Sequence, residues 1–146
     1  MSLKVMDGLR TVDGANAAVD IAIANYASGN TMNGTSHDMK DHFEFLVSAQ
    51  AGVVTGTAVV TIVVQESNEA AANFANVASA AVSFANNANS NQAKLISVNW
   101  KHPDRKRYAR VQGLVTVANA AFYGVHAMRV APHGGPVTAD SALTGV

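Results

Sequence analysis

Hydrophobic and polar side chains alternate along residues 107–117, which read RYARVQGLVTV. The odd positions are small or apolar, and the even positions include Arg110, Gln112 and Thr116. A repeat of two residues is typical of a β-strand that buries one face. After a break at Ala118-Asn119, residues 120–130 (AAFYGVHAMRV) are rich in aromatic and β-branched side chains. We predict a second strand there, paired with the first through a connection of hairpin length.

Two earlier segments show the same alternation. Residues 42–50 (HFEFLVSAQ) and 57–66 (TAVVTIVVQE) are predicted to be strands, separated by a turn or bulge at AGVVTG, residues 51–56. Val59 and Val63 are apolar on the face opposite the expected core. This indicates that both faces of the second strand are covered, as in a sandwich or at a subunit interface. The residues predicted to face inward are Phe43, Phe45, Val47, Ala49, Ala58, Val60, Ile62 and Val64.

Strands are also predicted at residues 18–24 and 93–101. In the first, Val19, Ile21 and Ile23 share one face, and in the second Ile96, Val98 and Trp100 do so. Residues 26–41 are rich in glycine, asparagine and serine, so we predict one long loop.

The segment 67–85 allows two interpretations. Phe74, Val77, Ala81 and Phe84 recur at helical spacing, and Ser67 or Asn68 could cap a helix. Several asparagines and β-compatible residues favour instead a loop with an irregular turn and a short strand at 80–84. We prefer the second interpretation and keep the short helix as the alternative. The polar residues 86–92 (NNANSNQ) are predicted to form a turn.

Seven or eight short strands without a convincing long helix indicate an all-β protein. The spacing favours an antiparallel β-sandwich, jelly-roll-like or immunoglobulin-like, over a closed barrel. At 146 residues the chain is expected to be a single domain. We divide it into an N-terminal arm (1–16), a sandwich core (17–130) and a C-terminal tail (131–146).

Composition narrows the classes of function. Charged residues make up 14% of the chain, against about 25% in an average soluble domain. Such a surface suits contact with other proteins. The formal net charge is +0, which disfavours nucleic acid as the main partner. There is no cysteine and no long apolar run, so we expect neither a disulfide framework nor a membrane span.

Candidate chemistry is sparse. No motif places a nucleophile beside a base, so we assign no catalytic residue and no cofactor. His37, Asp38, Asp41 and His42 form an H-D-x-x-D-H cluster and are weak candidates for a metal site, because no element holds them at fixed geometry. A second cluster, of basic residues, allows two interpretations. It could make an electrostatic contact with an acidic partner or a polyanion, or it could be a turn exposed to solvent. Its cations are Lys101, Arg105, Lys106, Arg107 and Arg110.

Three motifs, taken in order, resemble the small jelly-roll cement (decoration, or head-stabilising) proteins of tailed bacteriophages. They are Val19-Asp20-Ile21, the stretch from Val60 to Ser67 with Phe74 after it, and Arg107-Tyr108-Ala109-Arg110-Val111. The resemblance spans roughly residues 18–130, and its motifs are structural. Residues 26–41 and 68–92 depart from the pattern.

The resemblance implies a β-sandwich protomer that forms trimers on the outer surface of a phage capsid. Such a protein is made in the host cytoplasm, binds the major capsid protein, clamps neighbouring subunits and performs no catalysis. Neither direct nucleic-acid nor membrane contact is expected. Two alternatives stay open: another virion part (head–tail connector or tail-tube subunit), or a carbohydrate-binding module. The latter would use Tyr26, Trp100, Tyr108 or Tyr123 to stack on sugars.

Overall fold

The computed structural model describes residues 19–54, 56–85, 91–116 and 121–130, with the side chain of residue 122 excepted. The predicted arms, 1–16 and 131–146, lie outside these residues. So do most of the predicted turn 86–92 and the break at Ala118-Asn119. Within the described part of the chain, all the regular structure is β. Its strands are β1 (Val19–Tyr26), β2 (Thr31–Asn33), β3 (His37–Asp38), β4 (Glu44–Val54), β5 (Val59–Ser67), β6 (Ala75–Ala85), β7 (Gln92–Asn99), β8 (Tyr108–Thr116) and β9 (Ala121–Val130).

The described strands form two antiparallel sheets. Sheet I has the order β1-β9-β4-β7, and sheet II has the order β2-β8-β5-β6, with β3 also paired to β8. Because β2 and β3 both pair with β8, they act as one interrupted strand. In chain order, β1 lies in sheet I, β2 and β3 in sheet II, and β4 in sheet I. The next two strands, β5 and β6, lie in sheet II, and β7, β8 and β9 lie in sheets I, II and I. That alternation is the order of a double-sheet jelly roll, so the prediction of an antiparallel, jelly-roll-like sandwich is confirmed.

The core lies between the two sheets and contains many small side chains. Sheet I contributes Phe45, Val47, Tyr123 and Val125, and sheet II contributes side chains such as Ile62. Alanines also fill inward positions, at 49, 51, 58, 80, 109, 121 and 127. The predicted inward faces of β4, β5, β7 and β8 are buried as expected, because alternation along a strand reports directly which face is covered. Phe43 is the exception: it precedes β4 and is half-buried.

The predicted hairpin between residues 107–117 and 120–130 is wrong. Both segments are strands, but β8 pairs with β2, β3 and β5 in sheet II, while β9 pairs with β1 and β4 in sheet I. The chain therefore crosses from one layer to the other between them. Alternation within each segment predicts a strand and its buried face, but it does not specify which strands lie beside it.

The predicted loops are also shorter than expected. Residues 26–41 contain β2 and β3, which extend sheet II along the edge of β8. Residues 51–54, predicted as part of a turn or bulge, continue β4, and the shift of register between Ala51 and Val54 against β9 agrees with the bulge. Loops rich in glycine and asparagine can still supply edge strands when a neighbouring strand offers unpaired backbone groups.

Two bulges in β1 break the predicted alternation of its apolar residues. Val19 pairs with His126 and Ile21 with Val125, so Asp20 is an extra residue between them. A second shift separates Ile21 from Ala24. As a result Ile21 is buried, whereas Val19 and Ile23 are both exposed. A bulge turns successive side chains toward one face, so the alternation is lost locally.

In the segment 67–85 the preferred interpretation is confirmed for the strand at 80–84, which is longer than predicted, and the alternative helix is wrong. Its residues from Ala75 onward form the eleven-residue strand β6. Four of its residues, 77–80, lie opposite Val64 alone, because Val63 pairs with Ala81 and Gln65 with Asn76. Ser79 in this bulge has a positive φ of 61°. The bulge lets Val77, Ala80 and Phe84 all reach the core, which explains why their spacing mimics a helix.

Candidate interaction surfaces

The two charged clusters singled out in the sequence meet at one end of the sandwich. The loop before β4 and the turn between β7 and β8 line a cleft of about 620 Å³, which we call the basic cleft. The loop contributes Lys40, Asp41 and His42, and the turn contributes Lys101, Arg105, Lys106 and Arg107. Arg110 is not among its lining residues.

Three of the five predicted contact cations are engaged within the chain. Arg107 forms a two-pronged pair with Asp38, with Nη2 2.7 Å from Oδ2, and this pairing lowers the pKa of Asp38 and raises that of Arg107. Arg105 lies 3.3 Å from Glu66. Arg110 donates to Gln65 at 2.8 Å and lies 4.1 Å from the centre of the Phe74 ring.

The same Arg110 guanidinium has a lowered pKa because burial disfavours its charged form. Among the described residues, no ion pair holds Lys40, Lys101 or Lys106. The ammonium of Lys101 lies 5.9 Å from the ring of Phe43. The lysines, not the arginines, are therefore the cations that the cleft offers to a partner.

The four weak candidates for a metal site are not gathered around one point. His37 and Asp38 are neighbours on β3, and their side chains point to opposite faces. His37 binds Asp20, and Asp38 binds Arg107. In the described ranges, no three histidine, cysteine or carboxylate side chains are gathered in a way that could hold a metal ion.

A buried polar pair joins the two sheets at their β1–β3 edge. Nε2 of His37 lies 3.0 Å from each carboxylate oxygen of Asp20, and the side chains are 3% and 2% exposed. The bulge in β1 aims Asp20 inward, and the ring of His37 packs 5.2 Å from that of Phe45. No local pattern in the sequence indicates this pair, because the two residues lie 17 positions apart. The only hint is an acidic residue within an apolar strand.

On the outer face of sheet II, side-chain amides on neighbouring strands form hydrogen bonds with one another. Gln65 donates to Asn76 at 2.8 Å and to Gln112 at 3.3 Å, and Gln112 donates to Asn33 at 2.9 Å. This ladder crosses β6, β5, β8 and β2. Because its amides already bond one another, the face has less to gain from a partner.

The outer face of sheet I is different in character. Leu46 and Met128 are directly opposite each other on β4 and β9, and both are half-buried. Leu95 on β7 is 76% exposed and Ile23 on β1 is 49% exposed. Ile23 covers Gly124, where a side chain would collide with it. We call this surface the apolar face. Leu95 and Ile23 lie on the two edge strands of this sheet, and Ser48 and His126 lie on the same face between them. Exposed apolar side chains on one face are a feature of many interaction sites.

The aromatic residues considered for sugar stacking are not exposed platforms. Trp100 and Tyr123 are buried, and Tyr26 packs against Tyr123 with ring centres 4.7 Å apart. Tyr108 is half-buried, with the guanidinium of Arg107 5.2 Å from its ring. Sugar binding through exposed rings therefore has no support in these residues.

The hydroxyl of Tyr123 is buried without a hydrogen-bond partner in the described part of the chain. Desolvation, with a smaller contribution from Tyr26, raises the pKa of Tyr123 to about 12. Its oxygen points at Gly113 on the facing sheet, where an added Cβ would lie 2.6 Å away. The glycine is needed for this close approach.

Comparisons with known proteins report on the fold. No protein-family model matches the chain. No curated protein matches it either. Among solved structures, the PBSX exported protein XepA is similar, with a TM-score of 0.59 and 14% identity over 86% of this chain. The match covers 41% of XepA, so the chain spans about two fifths of that protein's length. At this identity the likeness shows a shared fold.

Two other solved structures are more distant. A Bacillus endospore appendage protein, from a family of disulfide-linked pili, has a TM-score of 0.42 and 17% identity over 80% of this chain and 92% of its own. A protein in the structure of infectious bursal disease virus, Gx strain, has a TM-score of 0.42 and 13% identity over 81% of this chain and 32% of its own. Neither score is high enough to support an argument.

Among the described residues, no helix has the length and apolar character that a membrane span requires.

Proposed function

We propose that this chain is a structural protein of a bacteriophage particle, which acts by surface contact and not by catalysis. Its finer role in this proposal is that of a capsid cement protein. It would form trimers on the outer surface of the head, bind the major capsid protein and clamp neighbouring subunits together.

The observation that carries the proposal is the contrast between the two outer faces of the sandwich. The amides of sheet II satisfy one another, whereas the apolar face of sheet I exposes Leu95 and Ile23. When such a face docks, burial of its apolar surface stabilises the complex by about 25 cal/mol for each Å² removed from water. Burial of this face against other copies of the chain would therefore favour assembly.

The fold and the sequence motifs support the same conclusion. The jelly-roll order is the one that the resemblance to cement proteins implies. The fold is shared with XepA, a protein of the phage PBSX. In the proposal, the apolar face meets other copies of the chain, and the basic cleft meets the shell. The catalytic alternative would need convergent acid and base groups, whereas Arg105 and Arg107 at the basic cleft are held in ion pairs with Glu66 and Asp38.

The first test is the state of association of the purified chain, measured by light scattering coupled to size-exclusion chromatography. We expect a trimer, and we expect Leu95→Glu to shift it to monomer because a buried charge opposes docking. The control is Ala78→Glu, which adds the same charge on the exposed edge strand β6 and should leave the trimer intact.

The second test uses the virus whose genome carries the gene. Particles assembled without the product should lose infectivity faster on heating and osmotic shock, and added protein should restore resistance. A chain that stays monomeric and leaves particle stability unchanged would refute the proposal. Stacked rings in place of trimers would instead indicate a tail-tube or connector subunit.

A further inference from the structure

The basic cleft is built on a fixed backbone. The indole of Trp100 donates to the carbonyl of Lys106 at 2.7 Å, and the amide of Lys106 donates to Glu66 at 3.2 Å. The amide of Met39 donates to the carbonyl of Arg107 at 2.8 Å. Both backbone groups of Lys106 are thus held, and the loop and the turn are tied to each other. A site prepared in this way loses little conformational freedom when a ligand binds.

Its charges are unequal. Arg105 and Arg107 are balanced by Glu66 and Asp38. Lys40, Lys101 and Lys106 also line the cleft, together with the single carboxylate of Asp41. In the described residues, none of the three lysines has an ion-pair partner. The cleft therefore presents excess positive charge above a floor that includes the buried side chains of Met39 and Trp100.

From this arrangement we infer that the basic cleft binds an acidic segment of a partner protein through Lys40, Lys101 and Lys106. The inference rests on the proposed function, because it names the chemistry of the surface that the shell would offer. Lysine ammonium groups accept carboxylates in many orientations, so a chain of glutamates or aspartates can be bound without one fixed geometry.

Nucleic acid fits the cleft less well. Binding to single strands combines cations with aromatic rings on which bases stack. The indole of Trp100 is buried and committed to the Lys106 carbonyl. The chain as a whole has a formal net charge of +0, which does not favour a long polyanion.

The test is a calorimetric titration of the isolated chain with a short oligoglutamate peptide, carried out at low and at high salt. The triple variant Lys40→Gln/Lys101→Gln/Lys106→Gln should bind about tenfold more weakly, the effect expected for three exposed charge contacts. Lys94→Gln is the control, because its ammonium bonds the carbonyl of Ser83 on β6, away from the cleft. Thermal unfolding checks that each variant folds.

An unchanged affinity in the triple variant, or equal binding of oligoglutamine, would overturn the inference. Equally tight, lysine-dependent binding of a single-stranded oligonucleotide would overturn the choice of an acidic protein segment. The outcome is separable from that of the proposed function. Particles stabilised equally by the native chain and the triple variant would leave the structural role standing and remove this contact.

Discussion

Replacement of Tyr123 by phenylalanine is expected to stabilise the protein. The side chain is 1% exposed, and its hydroxyl has no partner in the described part of the chain. A buried polar group without a hydrogen bond costs roughly 1–3 kcal/mol. Removing the oxygen recovers part of this cost and leaves a small gap beside Gly113, so we expect a gain of about 1 kcal/mol near neutral pH. For a domain of this size the gain corresponds to a rise of about 3 °C in Tm.

The pH dependence gives a second, independent measure. Burial raises the pKa of Tyr123 to about 12 in the folded chain, above the value of about 10 in an unfolded chain. Below pH 10 both states keep the proton, and the contribution of this group is fully present. Between about pH 10 and 12 the unfolded chain loses the proton first, so the stability of the native protein falls. The loss is about 2–3 kcal/mol on completion, and the Tyr123→Phe variant should not show it.

Urea unfolding followed by far-ultraviolet circular dichroism, from pH 7 to pH 12, measures both effects. The control is Tyr26→Phe, since the Tyr26 hydroxyl donates to the carbonyl of Ala22 at 2.6 Å and is exposed. We expect this variant to be neutral or slightly destabilised. If Tyr123→Phe loses more than about 1 kcal/mol, or if its advantage does not grow above pH 10, the hydroxyl has a partner and the reasoning fails.

Three further substitutions test other parts of the structure. Asp20→Ala removes the buried hydrogen bond to His37 and should cost about 1–3 kcal/mol in urea unfolding; a loss below about 0.5 kcal/mol would mean that the pair does not hold the two sheets together. Gly113→Ala places a Cβ 2.6 Å from the Tyr123 oxygen and should lower Tm by the equivalent of about 1–3 kcal/mol; an unchanged Tm would show that the ring moves aside and that the glycine is not required. Ser79→Gly relieves a positive φ of 61° and should raise the free energy of unfolding by up to about 1 kcal/mol; a clear loss in chemical denaturation would show that the serine side chain matters to the bulge.

The alternation of apolar and polar residues predicted strands and their buried faces correctly where a strand is regular. In β5 and β8 every second residue is buried over most of the strand, so alternation alone identified both the strand and its inner face. The same pattern failed at β1 and β6. There, bulges insert extra residues, and a bulge is fixed by the partner strand and not by local preference.

The candidate site was foreseen only in part. The high density of basic residues between positions 101 and 110 identified the five cations. It did not indicate which of them form ion pairs within the chain. Arg107 and Asp38 are 69 positions apart, and Arg105 pairs with Glu66 on the distant strand β5. Partners so distant in sequence leave no local signal, and they decide whether a cation holds the fold together or faces a partner.

The sequence by itself determined that the chain is all-β, that it packs as a sandwich, and which residues of the regular strands face the core. Side-chain direction alternates with every residue of a strand, so these properties are local. Only the tertiary structure decided that β8 and β9 belong to different sheets, that Asp20 meets His37, and that Lys40 joins Lys101 and Lys106 around one cleft. Those outcomes depend on which layer the chain crosses to at each connection, and the free energy of that choice is spread over contacts between distant segments.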